Sequence, residues 1–114
     1  MKYLCLIYSN EQVLHDSPDS PKDPECFAYG ESVQASGRLL AAEPLESVTT
    51  ATTVRMRNGK LSITDGPFAE TKEQLAGFYL IEAKDLNEAI QVAGGIPAAR
   101  VGSGEGRPVR ELNL

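Results

Sequence analysis

Lys2 to Tyr8 (KYLCLIY) is apolar on both faces of the strand it predicts: Tyr3, Cys5 and Ile7 alternate with Leu4, Leu6 and Tyr8. A strand open to water on one side would carry polar residues at every second position, so this one is expected to be covered twice. Gly77 to Ala83 (GFYLIEA) repeats the pattern. Whatever else the chain does, it must supply a layer for each face of these two strands.

The segments around them supply one of those layers. Asp23-Pro24-Glu25 reads as a helix start, with Asp23 as a cap, proline suited to the first helical position and Glu25 at the positive end of the dipole. Cys26, Tyr29, Val33 and Leu40 fall near one stripe, and Gly37 offers the left-handed residue that ends such a helix. Asp85-Leu86-Asn87-Glu88 has the form of a capping box. Leu86, Ala89, Ile90 and Ala93 then follow at amphipathic spacing up to Gly94-Gly95.

Further strands are predicted at Arg38 to Glu43 and around Glu105 to Leu112, where Pro108 suits an edge. Thr50 to Asp65 is a hairpin. Asn58-Gly59 is the favoured two-residue turn, and closure there sets Arg57 opposite Lys60, Met56 opposite Leu61 and Val54 opposite Ile63. Ser9 to Lys22, with three Asp or Glu, two Pro and three Ser, reads as a loop long enough to line a site.

The resulting order, β-α-β-β-β-α-β, predicts an α+β, ferredoxin-like protomer: an antiparallel sheet backed by two helices. Two helices cover one face only. The second apolar face is therefore expected to meet the sheet of an identical subunit, giving a homodimer.

The chain has 114 residues, the size of a single domain spanning 1–114, and 41% hydrophobic with 24% charged residues is an ordinary globular composition. Eleven Lys and Arg against 16 Asp and Glu leave a net charge of −5, which argues against nucleic acid or an anionic membrane as the main partner. The opening apolar run of six residues, Tyr3 to Tyr8, is too short for a signal-peptide core or a bilayer span, so a cytoplasmic protein is expected. Cys5 and Cys26 are then expected as reduced thiols in apolar surroundings. Two cysteines and one histidine do not close a zinc site, and no cofactor motif is present. Gly102-Ser103-Gly104-Glu105-Gly106 resembles a phosphate turn, but no helix can follow it in the eight residues that remain, and a bulged lead-in to a strand fits better.

The densest chemistry lies in Thr64 to Gln74 (TDGPFAETKEQ). Asp-Gly-Pro makes a sharp turn, and Asp65, Glu70, Lys72 and Glu73 leave it close together. Paired carboxylates beside a lysine can act as acid and base or hold a polar ligand; the alternative is a solvated loop. His15 is the sole imidazole and a weaker catalytic candidate. Arg100 and Arg107 can grip a carboxylate or form surface ion pairs.

These residues carry a family resemblance. TDGPFAETKEQLAGFYLIEAKDLNEAI, Pro97-Ala98-Ala99-Arg100 and Glu105-Gly106-Arg107-Pro108-Val109, with the opening KYLCLIY and the RLL strand, closely resemble the DGPF branch of the YCII-related proteins. The resemblance implies a ferredoxin-like protomer that pairs sheet to sheet as a dimeric α-β barrel. Some members of that superfamily are proposed to be enzymes through a His–Asp pair, the His in the first helix and the Asp before a Pro ahead of the last strand. Here Asp23 to Gly37 contains no histidine and Ile96 precedes Pro97, so that mechanism does not carry over. Family context also links DGPF proteins to sigma factors.

Three functions follow as expectations. The first is a dimer that binds a small molecule at the DGPF loop, with Asp65 and Glu70 orienting the ligand, Phe68 covering it and Lys72 and Arg100 as further contacts. The second is a lyase or isomerase using Asp65 or Glu70 as base. The third is a protein-interaction module whose acidic loop meets a partner such as a sigma factor.

Overall fold

The computed structural model describes residues 1–114. In chain order the elements are β1 (Lys2–Ser9), α1 (Glu11–Asp16), α2 (Asp23–Ala35), β2 (Leu39–Pro44), β3 (Thr52–Arg57), β4 (Lys60–Asp65), β5 (Gln74–Glu82), α3 (Leu86–Gly95) and β6 (Ser103–Pro108). Single 3-10 turns lie at Val48–Thr50 and Pro97–Val101. β2, β5, β1 and β6 form one antiparallel sheet in that order, while β3 and β4 pair only with each other. This is the ferredoxin-like arrangement, with the β3–β4 hairpin inserted as an arm between the second and third strands of the main sheet. No helix is long and apolar enough to cross a membrane.

The two strands apolar on both faces occupy the centre of the sheet and pair directly, Cys5 against Tyr79 and Tyr3 against Ile81. Their odd-numbered side chains face the helices and form the core: Tyr3, Cys5, Ile7, Ile81 and Ala83 pack with Val33 of α2, Ala89 and Val92 of α3, and Ile96. Tyr29 joins the two helices by donating from its hydroxyl to the carbonyl of Val92 at 2.6 Å. Gly95 makes room for that ring, since a Cβ there would lie 2.5 Å from the Tyr29 hydroxyl. Leu4, Leu6, Tyr8, Phe78 and Leu80, on the opposite face, remain half-buried.

The hairpin register is the one predicted, Val54 to Ile63 and Met56 to Leu61, with Asn58 and Gly59 both at positive φ. The start of α3 is also as read: Asp85 accepts from the Glu88 N–H at 2.9 Å. The reciprocal bond falls one residue early, on the Lys84 N–H, because the Glu88 carboxylate also receives Arg38 at 3.0 Å and so fastens the start of β2 to α3.

Elsewhere the structure corrects the reading. The expected loop after β1 contains α1, nucleated by the Asn10 side chain accepting from the Val13 N–H at 3.1 Å. Asp23 is the first residue of α2, and Lys22 stands at the cap position without a side-chain bond. Leu86 and Ile90 are exposed, because α3 turns Ala89 and Val92 to the sheet; Leu40 likewise points outward. β5 starts at Gln74, three residues before the expected strand, and β6 ends at Pro108.

Two glycines allow close backbone approaches that hold the sheet together. A Cβ at Gly77 would lie 2.9 Å from the Glu43 carbonyl across the β2–β5 ladder, and one at Gly102 only 2.1 Å from the carbonyl of Tyr8. Nothing lies within 4 Å of a Cβ at Gly106 in the same edge strand. Gly102→Ala is therefore expected to destabilise the fold by about 1–3 kcal/mol through backbone displacement. Gly106→Ala should stay within about 0.5 kcal/mol of wild type. Paired urea unfolding curves distinguish the two.

Candidate functional site

α2 does not seal onto the β2–β5 side of the sheet. Gly30 keeps the helix wall short opposite Tyr79, where an added Cβ would come into van der Waals contact with the tyrosine hydroxyl at 3.6 Å. Ala42 and Ala76 keep the facing wall equally short. A cavity of about 800 Å3 results, walled by α2, the β2–β5 side of the sheet, α1, the segment Leu45–Ser47 and Ile96–Ala98. Ile7, Leu39 and Tyr79 provide apolar surface from the sheet, and Phe27 of α2 stands on the wall with 70% of its surface exposed.

The polar groups on this wall are of a few kinds. His15 reaches it from α1 and Cys26 from α2. Burial raises the Cys26 thiol pKa above its ordinary value, and the neighbouring Asp23 and Glu25 charges raise it further. Burial also raises the Tyr79 phenol. Both groups are thus held protonated at neutral pH, which suits hydrogen bonding and opposes nucleophilic attack. Glu11 braces one end of the cavity by accepting from the Ser47 hydroxyl at 2.9 Å and the Val48 N–H at 2.8 Å. No three His, Cys, Asp or Glu side chains converge closely enough to hold a metal ion.

The residues of the DGPF loop lie apart from this cavity. Asp65 is the last residue of β4, exposed and paired with Thr52. The turn after it is fastened to the arm: the Gly66 N–H donates to the Ala51 carbonyl at 2.7 Å, and Thr53 donates to the Gly66 carbonyl at 2.8 Å. Phe68 is 79% exposed and Glu70 is exposed. Lys72 is exposed as well, and its carbonyl accepts from Asn10 at 3.1 Å. None of Asp65, Phe68, Glu70 and Lys72 lines this cavity.

Arg100 is also committed elsewhere. Its guanidinium makes a two-pronged pair with Glu25 at 2.8 and 2.9 Å, and its Nε donates to the Asp19 carbonyl at 2.8 Å. The Arg100 contact holds the Glu25 carboxyl below the usual carboxylate range. The arginine thereby ties the Asp19–Pro21 segment, part of which walls the cavity, to α2. Of the residues singled out from sequence, His15 alone lines the cavity. Cys26, Phe27, Gly30 and Tyr79 were not singled out; the available signal was a glycine inside a helical pattern, where its cost relative to alanine points to a packing or functional reason.

Comparison with known proteins places the chain. The YCII-related domain family matches residues 1–113. An uncharacterised protein of Rhizobium meliloti (strain 1021) is 37% identical over 114 residues, covering 96% of this chain and 92% of that protein. Among solved structures, the chain is similar to the 5-chloro-2-hydroxyhydroquinone dehydrochlorinase of Burkholderia phenoliruptrix AC1100 in complex with 2,5-dihydroxybenzoquinone. That likeness has a TM-score of 0.56 at 16% identity over 96% of this chain and 94% of that one, and it is a likeness of fold. A family match that runs from the first strand past the last, together with so similar a full-length relative, shows that the chain belongs to the YCII-related domain family.

Proposed function

We propose that this protein is a homodimer that binds a small organic molecule in the cavity between α2 and the sheet. The observation that carries the reading is the cavity itself. At about 800 Å3 it falls in the range of small-molecule sites, roughly 300–1,000 Å3; its walls are largely apolar and carry a few polar groups, His15, Cys26 and Tyr79. The dehydrochlorinase of similar fold was solved with a small cyclic molecule bound, which supports a ligand of that size. Attack by a Cys26 thiolate is disfavoured, because burial and the neighbouring carboxylates hold the thiol in its protonated form.

Dimerisation is supported by two apolar surfaces with no cover in the protomer. One is the far face of the sheet. The other is the arm, where Val54, Met56, Leu61 and Ile63 lie on one face of β3–β4 and are 59–65% exposed. A two-stranded hairpin standing alone is marginal in water, so this one needs a surface to pack on. The arm also explains the protomer's shape: the Cα radius of gyration is 15.8 Å, against about 13 Å for a compact chain of this length.

Two experiments test the reading. Light scattering should give twice the chain mass for the wild type. Val54→Asp combined with Ile63→Asp should shift the species towards a monomer, and a wild-type monomer would remove the dimer. For the cavity, a thermal-shift screen against small organic molecules should raise the melting temperature by several degrees when a ligand is present at about 100 times its Kd, equivalent to about 2.7 kcal/mol. Gly30→Leu adds bulk on the cavity wall beside Tyr79 and should abolish the shift, with a cooperative melt of the unliganded variant showing that it is folded. Asp65→Asn should retain it; loss of the shift in that variant alone would move the ligand to the DGPF loop.

A further inference from the structure

We infer that the hydroxyl of Tyr79 orients the ligand in the cavity by donating a hydrogen bond to a carbonyl oxygen. The inference rests on the cavity being the ligand site and adds the functional group that its occupant must carry.

The four tyrosines of the chain use their hydroxyls differently. Tyr29 donates to the Val92 carbonyl at 2.6 Å, Tyr8 donates to Glu105 at 3.4 Å, and Tyr3 makes a long contact with the Met1 sulfur at 4.0 Å. Tyr79 makes no such bond, and it lines the cavity. Its oxygen is not sealed in the core either, since the one side-chain oxygen or nitrogen that is both sealed and unpartnered belongs to Ser9. A largely buried tyrosine usually finds a partner for its hydroxyl, and here the partner comes from whatever occupies the cavity.

The surroundings of Tyr79 hold that donor in place. It lies within β5 between Cys5 and Ala42 of the neighbouring strands, and its ring packs against Tyr29 with centroids 6.1 Å apart. Gly30 opposite places no side chain over the oxygen, where a Cβ would already be in contact at 3.6 Å. Cys26, one helical turn before Gly30, brings a free thiol to the same wall. Burial raises the pKa of both groups, and Cys26 is near enough to raise Tyr79 further, so both carry their protons at neutral pH. The phenol is the stronger donor and the thiol a weak one. Such donors on a rigid strand, facing a largely apolar space, match a molecule with an apolar body and a carbonyl oxygen, which accepts and cannot donate.

The test crosses one group of the ligand with one group of the protein. Acetophenone and α-methylstyrene share a shape, but the second has a methylene in place of the carbonyl oxygen. Each is titrated by NMR into isotope-labelled wild type and Tyr79→Phe, with thermal melts to show that both proteins are folded. Tyr79→Phe should weaken acetophenone by about three- to tenfold, the effect of one neutral hydrogen bond, and leave α-methylstyrene within about twofold. The infrared carbonyl band of bound acetophenone should also lie lower in the wild type than in the variant, a difference that a packing role would not produce. Equal changes for both ligands, no change for either, or a carbonyl band at one position in both proteins overturns the hydrogen bond. The cavity is read out separately, because either ligand should shift the amide signals of Gly30, Ala42 and Ala98 in the wild type. If those signals shift, the cavity reading survives loss of the hydrogen bond. Failure of both ligands to bind, or binding that leaves those signals in place, overturns the two together.

Discussion

The pairing of β1 with β5 is the contact on which the rest of the protein depends. Two strands with apolar side chains on both faces lie side by side at the centre of a four-stranded sheet, so neither can serve as an edge. Their helix-facing side is satisfied within the protomer, where Cys5 and Ile81 are completely buried. The other side is not, and that imbalance shapes the molecule. It leaves a two-layered, flat protomer 19 Å thick, with an apolar sheet face and an apolar arm that both lack cover in their own chain. Burial of such surface drives association in water much as it drives folding.

Small residues then decide how closely the layers meet. Gly77 and Gly102 let backbone approach backbone, and Gly95 admits the Tyr29 ring that couples the helices. Gly30 accommodates Tyr79, whose hydroxyl would be in contact with an added Cβ, and Gly30 and Ala42 are both small residues on the cavity wall. Protein interiors are packed nearly as densely as organic crystals, and here that packing gives way to a cleft open to solvent between α2 and β2.

Local patterns were read well where a few neighbouring residues decide the outcome. The Asn58-Gly59 turn needs two positive φ values, and once it closes every cross-strand pair follows. Asp85 caps α3 because its acceptor and the Glu88 donor are three residues apart. α1 was missed for the same reason in reverse. Six residues between an apolar strand and a proline- and serine-rich stretch have little helical tendency alone, and this helix is held by the Asn10 cap and by Glu11 reaching Ser47 and Val48, 36 and 37 residues away. The stripe of α3 was misjudged because Leu86 and Ile90 fit the spacing, while the surface that α3 meets favours Ala89 and Val92.

By itself, then, the sequence determined the family, the central strands with their two apolar faces, the arm and its register, and the capped start of α3. Each depends on spacing or on a motif within a short stretch. The cavity lay beyond it. The conspicuous charges of Asp65, Glu70 and Lys72 cluster along the chain but flank an exposed turn, whereas the cavity wall gathers His15, Cys26, Glu43, Tyr79 and Ala98 from separate elements. Only tertiary packing brings those residues together, because the cavity is the space left between a helix and a sheet, and its lining depends on where both come to rest.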